Sequence, residues 1–186
     1  MAVVAERRRF TVDEYYRMAE AGILTEDDRV ELLEGEVFQM SPIGSRHAAC
    51  VGRLTHILPS RLGGRAIVGV QNPLRLDVYN EPQPDVALLR PRDDFYASSH
   101  PGPGDVLLVV EVVETTASYD RSLKVPLYAR FGVPEVWLVD LNAETVEVYR
   151  GPSASGYQDI RYLGRGETLA PAAFPDVAIP VDAVLG

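Results

Sequence analysis

Apolar residues change their spacing several times along the chain, and each change marks an element. Thr11-Val12-Asp13-Glu14-Tyr15 opens a helix: the Thr11 hydroxyl can cap the first turn, and Glu14, three residues on, completes a capping box. Gly22 is placed to end it. Val30-Glu31-Leu32-Leu33 and Val37-Phe38-Gln39-Met40 read as short strands about the turn Glu34-Gly35-Glu36. Between 44 and 62, Ala48, Val51, Leu54, Ile57 and Leu58 recur at helical spacing and predict a second helix. Pro59 inside it predicts a kink or an early end, since proline lacks the N–H and crowds the preceding turn.

Strand-like segments follow. Residues 66–70 and 74–79 are rich in branched and apolar residues on either side of Asn72-Pro73. Residues 84–89 form another strand, entered through a proline-rich turn. Residues 91–105, with Pro101-Gly102-Pro103-Gly104, read as a loop. Residues 106–113 are almost continuously apolar, the pattern of a central strand covered on both faces. A helix is predicted over 118–131 despite Pro126, ending before Gly132-Val133-Pro134. Residues 135–140 and 145–149 pair around Leu141-Asn142-Ala143, and the tail from 151 reads as a hairpin with proline-punctuated segments. The order of elements predicts an α/β (α+β) fold with a mixed central sheet flanked by helices.

Composition narrows this picture. The 186 residues suit one ordinary domain over 1–186, with a C-terminal extension from about 150. The 46% hydrophobic and 24% charged residues are typical of globular proteins. The longest apolar run, Val106 to Val110, is far too short to span a bilayer, so no membrane association is expected. Arg7-Arg8-Arg9 near the N-terminus is followed by no apolar segment, which leads us to expect no secretory signal and a cytoplasmic location. Cys50 is the single cysteine, which excludes an intrachain disulfide and a thiolate zinc site; a buried, inert thiol is expected. The formal charge of −9 argues against a protein that coats nucleic acid, although a local basic groove is compatible with it.

The unusual feature is the position of the acids. Asp85 opens a strand directly after Pro84, and Glu111 interrupts an otherwise apolar one. A carboxylate inside such a strand carries a large desolvation cost unless a cation or hydrogen-bond donors meet it. If the two strands are neighbours, the pair can converge on one hard cation. Mg²⁺ suits such a site, because it takes one or two carboxylates and keeps several waters. The ordinary explanation is a turn cap at Asp85 and a salt bridge at a strand end for Glu111. Lys124 lies four residues after Asp120, so it forms either a surface ion pair along the helix or a charge projected over the strand ends.

The motifs taken in order add information. Val30-Glu31-Leu32-Leu33-Glu34-Gly35-Glu36, Pro84-Asp85-Val86, Val110-Glu111-Val112-Val113, Asp120-Arg121-Ser122-Leu123-Lys124 with Tyr128, and Gly132-Val133-Pro134-Glu135-Val136-Trp137-Leu138-Val139-Asp140 together resemble the Uma-type family of restriction endonucleases. That family is similar to the PD-(D/E)XK nuclease superfamily, and the likeness runs from about Phe10 to Tyr149. The resemblance implies a restriction-endonuclease-like core and a Mg²⁺ site at Asp85 and Glu111, with Mn²⁺ as a substitute. It also implies hydrolysis of DNA phosphodiesters. The superfamily lysine commonly stands two residues after the strand glutamate, where this chain has Val113. The resemblance implies that Lys124 supplies that charge instead, that Glu31 completes the catalytic set, and that the carbonyl of Val112 is a further metal ligand. Glu114 stands where the family usually has serine; it faces solvent or binds a second metal.

The remaining candidates are weaker. His47 and His56 lie nine residues apart, which is not metal-ligand spacing. His47 is expected near the mouth of the site, His100 in solvent, and Gln71 in a turn or reaching the cleft. Trp137 is expected in the core with a partner for its indole N–H. Arg7–Arg9 with Arg46, Arg53, Arg61 and Arg65 form either a basic rim or solvated faces. Two functions follow: a Mg²⁺-dependent endonuclease acting on DNA, with a homo-oligomer to pair two sites, or a catalytically idle nuclease-fold module working by association.

Overall fold

The computed structural model describes residues 7–25, 27–114 and 117–186. The expectation about a leader falls on residues 1–6 and lies outside the described residues. Helix α1 (Val12–Glu20) starts as its sequence dictates: the Glu14 amide donates to the Thr11 hydroxyl, and the Thr11 amide donates to the Glu14 carboxylate. Strands β1 (Val30–Leu33) and β2 (Glu36–Gln39) form an antiparallel hairpin apart from the main sheet. Its turn needs two left-handed residues, Glu34 at φ 54° and Gly35 at φ 77°.

A Cβ at Gly35 would lie 2.6 Å from Arg9 Cβ and 3.1 Å from the Phe10 carbonyl oxygen, whereas a Cβ at Gly63, also left-handed, meets nothing within 4 Å. Both substitutions to alanine carry the left-handed penalty of about 1 kcal/mol. Gly35→Ala adds overpacking against backbone-proximal atoms, for a total of about 2–4 kcal/mol. Urea unfolding of the two variants checks this: equal midpoints would refute the close approach of residues 9–10 to the turn.

Helix α2 (Ser45–Leu62) does not stop at Pro59. It continues to Leu62 and ends on left-handed Gly63, whose N–H donates to the Pro59 carbonyl at 3.1 Å. The early end expected from proline is overridden because Leu58 and Leu62 are both buried against the sheet. That sheet has six strands in sequence order: β3 (Ile67–Val70), β4 (Val86–Leu89), β5 (Val106–Val113), β6 (Glu135–Asp140), β7 (Thr145–Ser153) and β8 (Gly156–Leu163). All neighbours are antiparallel except β5 and β6, so the sheet is mixed.

The parallel pair requires a crossover, supplied by α3 (Ala117–Tyr119), a π-helical turn (Asp120–Lys124) and α4 (Val125–Arg130). The continuous helix expected over 118–131 is thus interrupted. The Val125 N–H reaches back to the Asp120 carbonyl, and Pro126 follows at once. Proline's ring crowds the carbonyl four residues earlier, and a widened turn accommodates it.

Both faces of the sheet are covered. Leu108, Val110 and Val112 of β5 pack with α2 residues Leu54 and Leu58. Val109 and Val113 pack on the other face with Leu127 and Tyr128 of α4. This two-sided burial is what the continuous apolar run of β5 predicted. The strand expected over 74–79 is absent. Leu74 and Leu76 are buried, but their N–H groups donate to the carbonyls of Pro82 and Asn80 in an irregular excursion. Pro82 and Pro84 on the returning segment have no N–H to give a ladder. At the C-terminal end, β9 (Thr168–Leu169) pairs with β10 (Ile179–Pro180), and α5 (Val181–Leu185) packs into the α2 face of the core. No helix of the described residues is long and apolar enough to cross a membrane.

Candidate active site

The site forms at the C-terminal half of β5, beside the start of the crossover. In the antiparallel ladder of β4 and β5, Val86 faces Val110, so one further step sets Asp85 beside Glu111. Asp85 has just left the ladder, and its side chain takes over the hydrogen bonding there. The Val112 N–H donates to Asp85 Oδ2 at 2.8 Å. His47 Nε2, from the first turn of α2, lies 3.0 Å from the same oxygen, and Gln71 Nε2 donates to Oδ1 at 3.3 Å. Gln71 also sits in the left-handed region (φ 51°) and donates its backbone N–H to the Asp85 carbonyl. Burial pushes the Asp85 carboxyl up, but the His47 hydrogen bond and charge and the Val112 amide outweigh it and hold the group below its ordinary value. The same hydrogen bond raises the His47 imidazole.

Strand alternation turns Glu111 to the α4 face, where three elements meet. Lys124 Nζ lies 2.9 Å from Glu111 Oε1 and 3.2 Å from Glu31 Oε2 of β1. The Tyr128 hydroxyl donates to Glu111 Oε1 at 2.6 Å, and the Gln83 amide donates to Glu31 Oε2 at 3.1 Å. Lys124 is only 3% exposed, so the surface pair with Asp120 read from helical spacing does not describe it. The π turn carries both residues into the interior. Burial pushes Glu111 up to about 8; Lys124 offsets part of this, and Asp120, Asp85 and Glu31 add to it. Burial works against the Lys124 charge, but Glu111 and Glu31 overcome it and raise its pKa well above the usual lysine value.

Glu31, Gln83, Asp85, Glu111 and Lys124 line a cavity of about 130 Å³ together with His47, Glu114 and Tyr119. Five acids (Glu31, Asp85, Glu111, Glu114 and Asp120) share its wall with the cations Arg29 and Lys124. That excess of acids over cations fits a divalent cation. Among the described residues no three His, Cys, Asp or Glu side chains form a cage for a metal. Mg²⁺ takes one or two carboxylates and keeps several of its own waters, a smaller demand than an all-protein cage. The Val112 N–H points to Asp85, and in an extended strand the carbonyl of the same residue leaves on the same side.

Glu114 neither faces solvent freely nor stands alone: Arg46 donates to it at 3.1 Å, which neutralises the extra charge at the cavity. The basic rim does not form. Arg7 pairs with Glu36, Arg65 grips Asp176 with both nitrogens, and Arg53 caps the carbonyls of Val184 and Leu185. His100 stacks on Tyr16 and contacts its hydroxyl, while His56 is exposed on α2. Cys50 is fully buried and its thiol is pushed up to about 11 by desolvation, so it is inert. Trp137 is in the core and donates its indole N–H to Glu135 at 2.8 Å. Sequence reasoning placed Gln71 and His47 only near the cleft and assigned no role to Gln83, Tyr119 or Tyr128. Tyr128, one helical turn after Lys124, was the legible signal among these.

The sequence profile of the Uma2 family, described as "Putative restriction endonuclease", matches residues 12–182. No curated protein matches the chain. Among solved structures, the crystal structure of a putative nuclease belonging to DUF820 from Anabaena variabilis superposes with a TM-score of 0.72. It shares 16% identity and covers 95% of this chain and 97% of its own, which is a likeness of fold.

Proposed function

The chain belongs to the Uma2 family, and from that membership we propose that it is a Mg²⁺-dependent endonuclease that hydrolyses DNA phosphodiester bonds. The observation that carries this reading is the convergence of Asp85, Glu111, Glu31 and Lys124 on one acidic cavity. Asp85, Glu111 and the Val112 carbonyl would hold Mg²⁺, with Mn²⁺ as a substitute. The bound ion supplies an activated water and neutralises charge on the phosphate.

The chain's own residues do the rest. His47 and Gln71 fix both oxygens of Asp85, so the carboxylate meets its cation without rearranging. Tyr128 orients Glu111 in the same way. Lys124 is held between Glu31 and Glu111 as a permanent positive charge, placed to stabilise the negative charge that grows on the phosphate. Its position on the crossover serves the role for which Val113 has no polar atom. Glu31, anchored by the Gln83 amide, keeps that ammonium in place.

Two such sites acting together would cut both strands of a duplex in one encounter, so the reading includes a homo-oligomer. Incubation of purified protein with supercoiled plasmid and Mg²⁺ or Mn²⁺ tests the whole. We expect cleavage that EDTA abolishes, with linear product appearing early if two copies act together and nicked circles accumulating if they do not. Supercoiled, linear and single-stranded DNA all left uncut, with no Mn²⁺ heat on titration, would sink the endonuclease and leave an idle nuclease-fold module.

A further inference from the structure

Among the described residues, three buried side-chain polar atoms have no hydrogen-bond partner, and two of them, the Tyr119 hydroxyl and His47 Nδ1, belong to residues lining the same cavity. Native proteins rarely leave such atoms unpaired, because a buried hydroxyl without a partner costs about 1–3 kcal/mol. Tyr119 is not loose: its ring packs against Phe38 of β2 with centroids 5.6 Å apart, and it stands immediately before the π turn that carries Lys124. The hydroxyl thus belongs to a fixed residue of the cavity wall and has no protein partner of its own. We propose that Tyr119 is a substrate-contacting residue whose hydroxyl donates a hydrogen bond to a non-bridging oxygen of a nucleic-acid phosphodiester bound in this cavity.

Charge selects the donor role. Burial, and the negative charge of Glu31, raise the Tyr119 hydroxyl far above its ordinary value, so it stays a neutral O–H throughout the working pH range. The cavity already holds acids in excess, which accept hydrogen bonds and do not donate them. A phosphodiester brings acceptor oxygens, and beside Lys124 the phenol supplies a donor that adds no charge. Such a preorganised donor is strengthened as charge accumulates in the transition state.

This inference rests on the endonuclease reading, and its test separates the two. Tyr119→Phe removes one oxygen and preserves the ring contact with Phe38. Cleavage under single turnover with Mn²⁺ is compared for wild type and variant, together with duplex affinity in Ca²⁺ and thermal stability. We expect the variant to be slowed about 10- to 100-fold, with duplex affinity within threefold of wild type and a melting temperature equal or higher, since an unpaired buried hydroxyl is gone. A variant cleaving within twofold of wild type overturns the contact and leaves the endonuclease standing. A slowed variant with a lowered melting temperature also overturns it, because Tyr119 would then be structural. Wild type that cuts nothing refutes the endonuclease and the contact together.

Discussion

Asp85→Asn is expected to abolish the proposed metal-dependent DNA cleavage and to leave the protein folded. The substitution keeps the shape of the side chain, so one oxygen still accepts the Val112 N–H that Asp85 receives at 2.8 Å. The same oxygen still faces His47 Nε2, and the new amide, in the place of Oδ1, can donate to Gln71 once that side chain turns its own carbonyl oxygen inward. Fold and cavity therefore survive. What disappears is a carboxylate whose pKa its surroundings lower, whereas burial pushes Glu111 beside it up to about 8. A metal site stabilises charge in the transition state by several kcal/mol, and each 1.4 kcal/mol is about tenfold in rate, so a loss of about 10³-fold or more is expected. The plasmid assay reads the activity, and calorimetric titration with Mn²⁺ reads the metal. Wild-type cleavage by a folded Asp85→Asn variant would remove Asp85 from the site.

Lys124→Met has the largest expected effect on stability. Methionine fills most of the lysine's volume, so packing around Tyr128 and Leu127 changes little. The charge does not survive: Glu31 and Glu111, both buried, lose the ammonium that lies 3.2 and 2.9 Å away. Breaking a buried ion pair by removing one partner costs about 3–5 kcal/mol, which for a chain of this size lowers the melting temperature by about 10 °C. The variant should also be inactive. The diagnostic result is recovery: if the cavity binds a divalent cation, Mn²⁺ raises the melting temperature of Lys124→Met by more than it raises that of wild type, because the ion then meets carboxylates with no other counter-charge. An equal or smaller rise would show that the acids of this cavity are not metal ligands.

Legibility along the chain follows from how local the deciding physics is. The capping box at Thr11 and Glu14 involves residues three apart, and it is present as read. The run 106–113 predicted a strand buried on both faces, because nothing but two covered faces makes such continuous burial favourable. The strand expected over 74–79 had the right composition, but a strand needs a partner able to donate, and Pro82 and Pro84 remove that partner. Pro59 was read as a kink or an early end, and Pro126 as tolerated within a continuous helix. The first is absorbed by burial of Leu58 and Leu62, and the second by a π turn, an option that no apolar spacing announces.

The candidate site divides along the same line. Asp85 and Glu111 were legible singly, because an acid in an apolar strand needs a compensating partner wherever it lies. Sequence alone also determined the mixed α/β class, the central strand and the resemblance in which Lys124 and Glu31 stand out. Only the tertiary structure decided what meets the acids. The β1–β2 hairpin brings Glu31 from 93 positions before Lys124, α2 turns His47 onto Asp85, and the π turn converts Lys124 from a surface lysine into a buried counter-charge. These are contacts between distant segments. Their energies come from desolvation and from distances of about 3 Å, and spacing along one chain encodes neither.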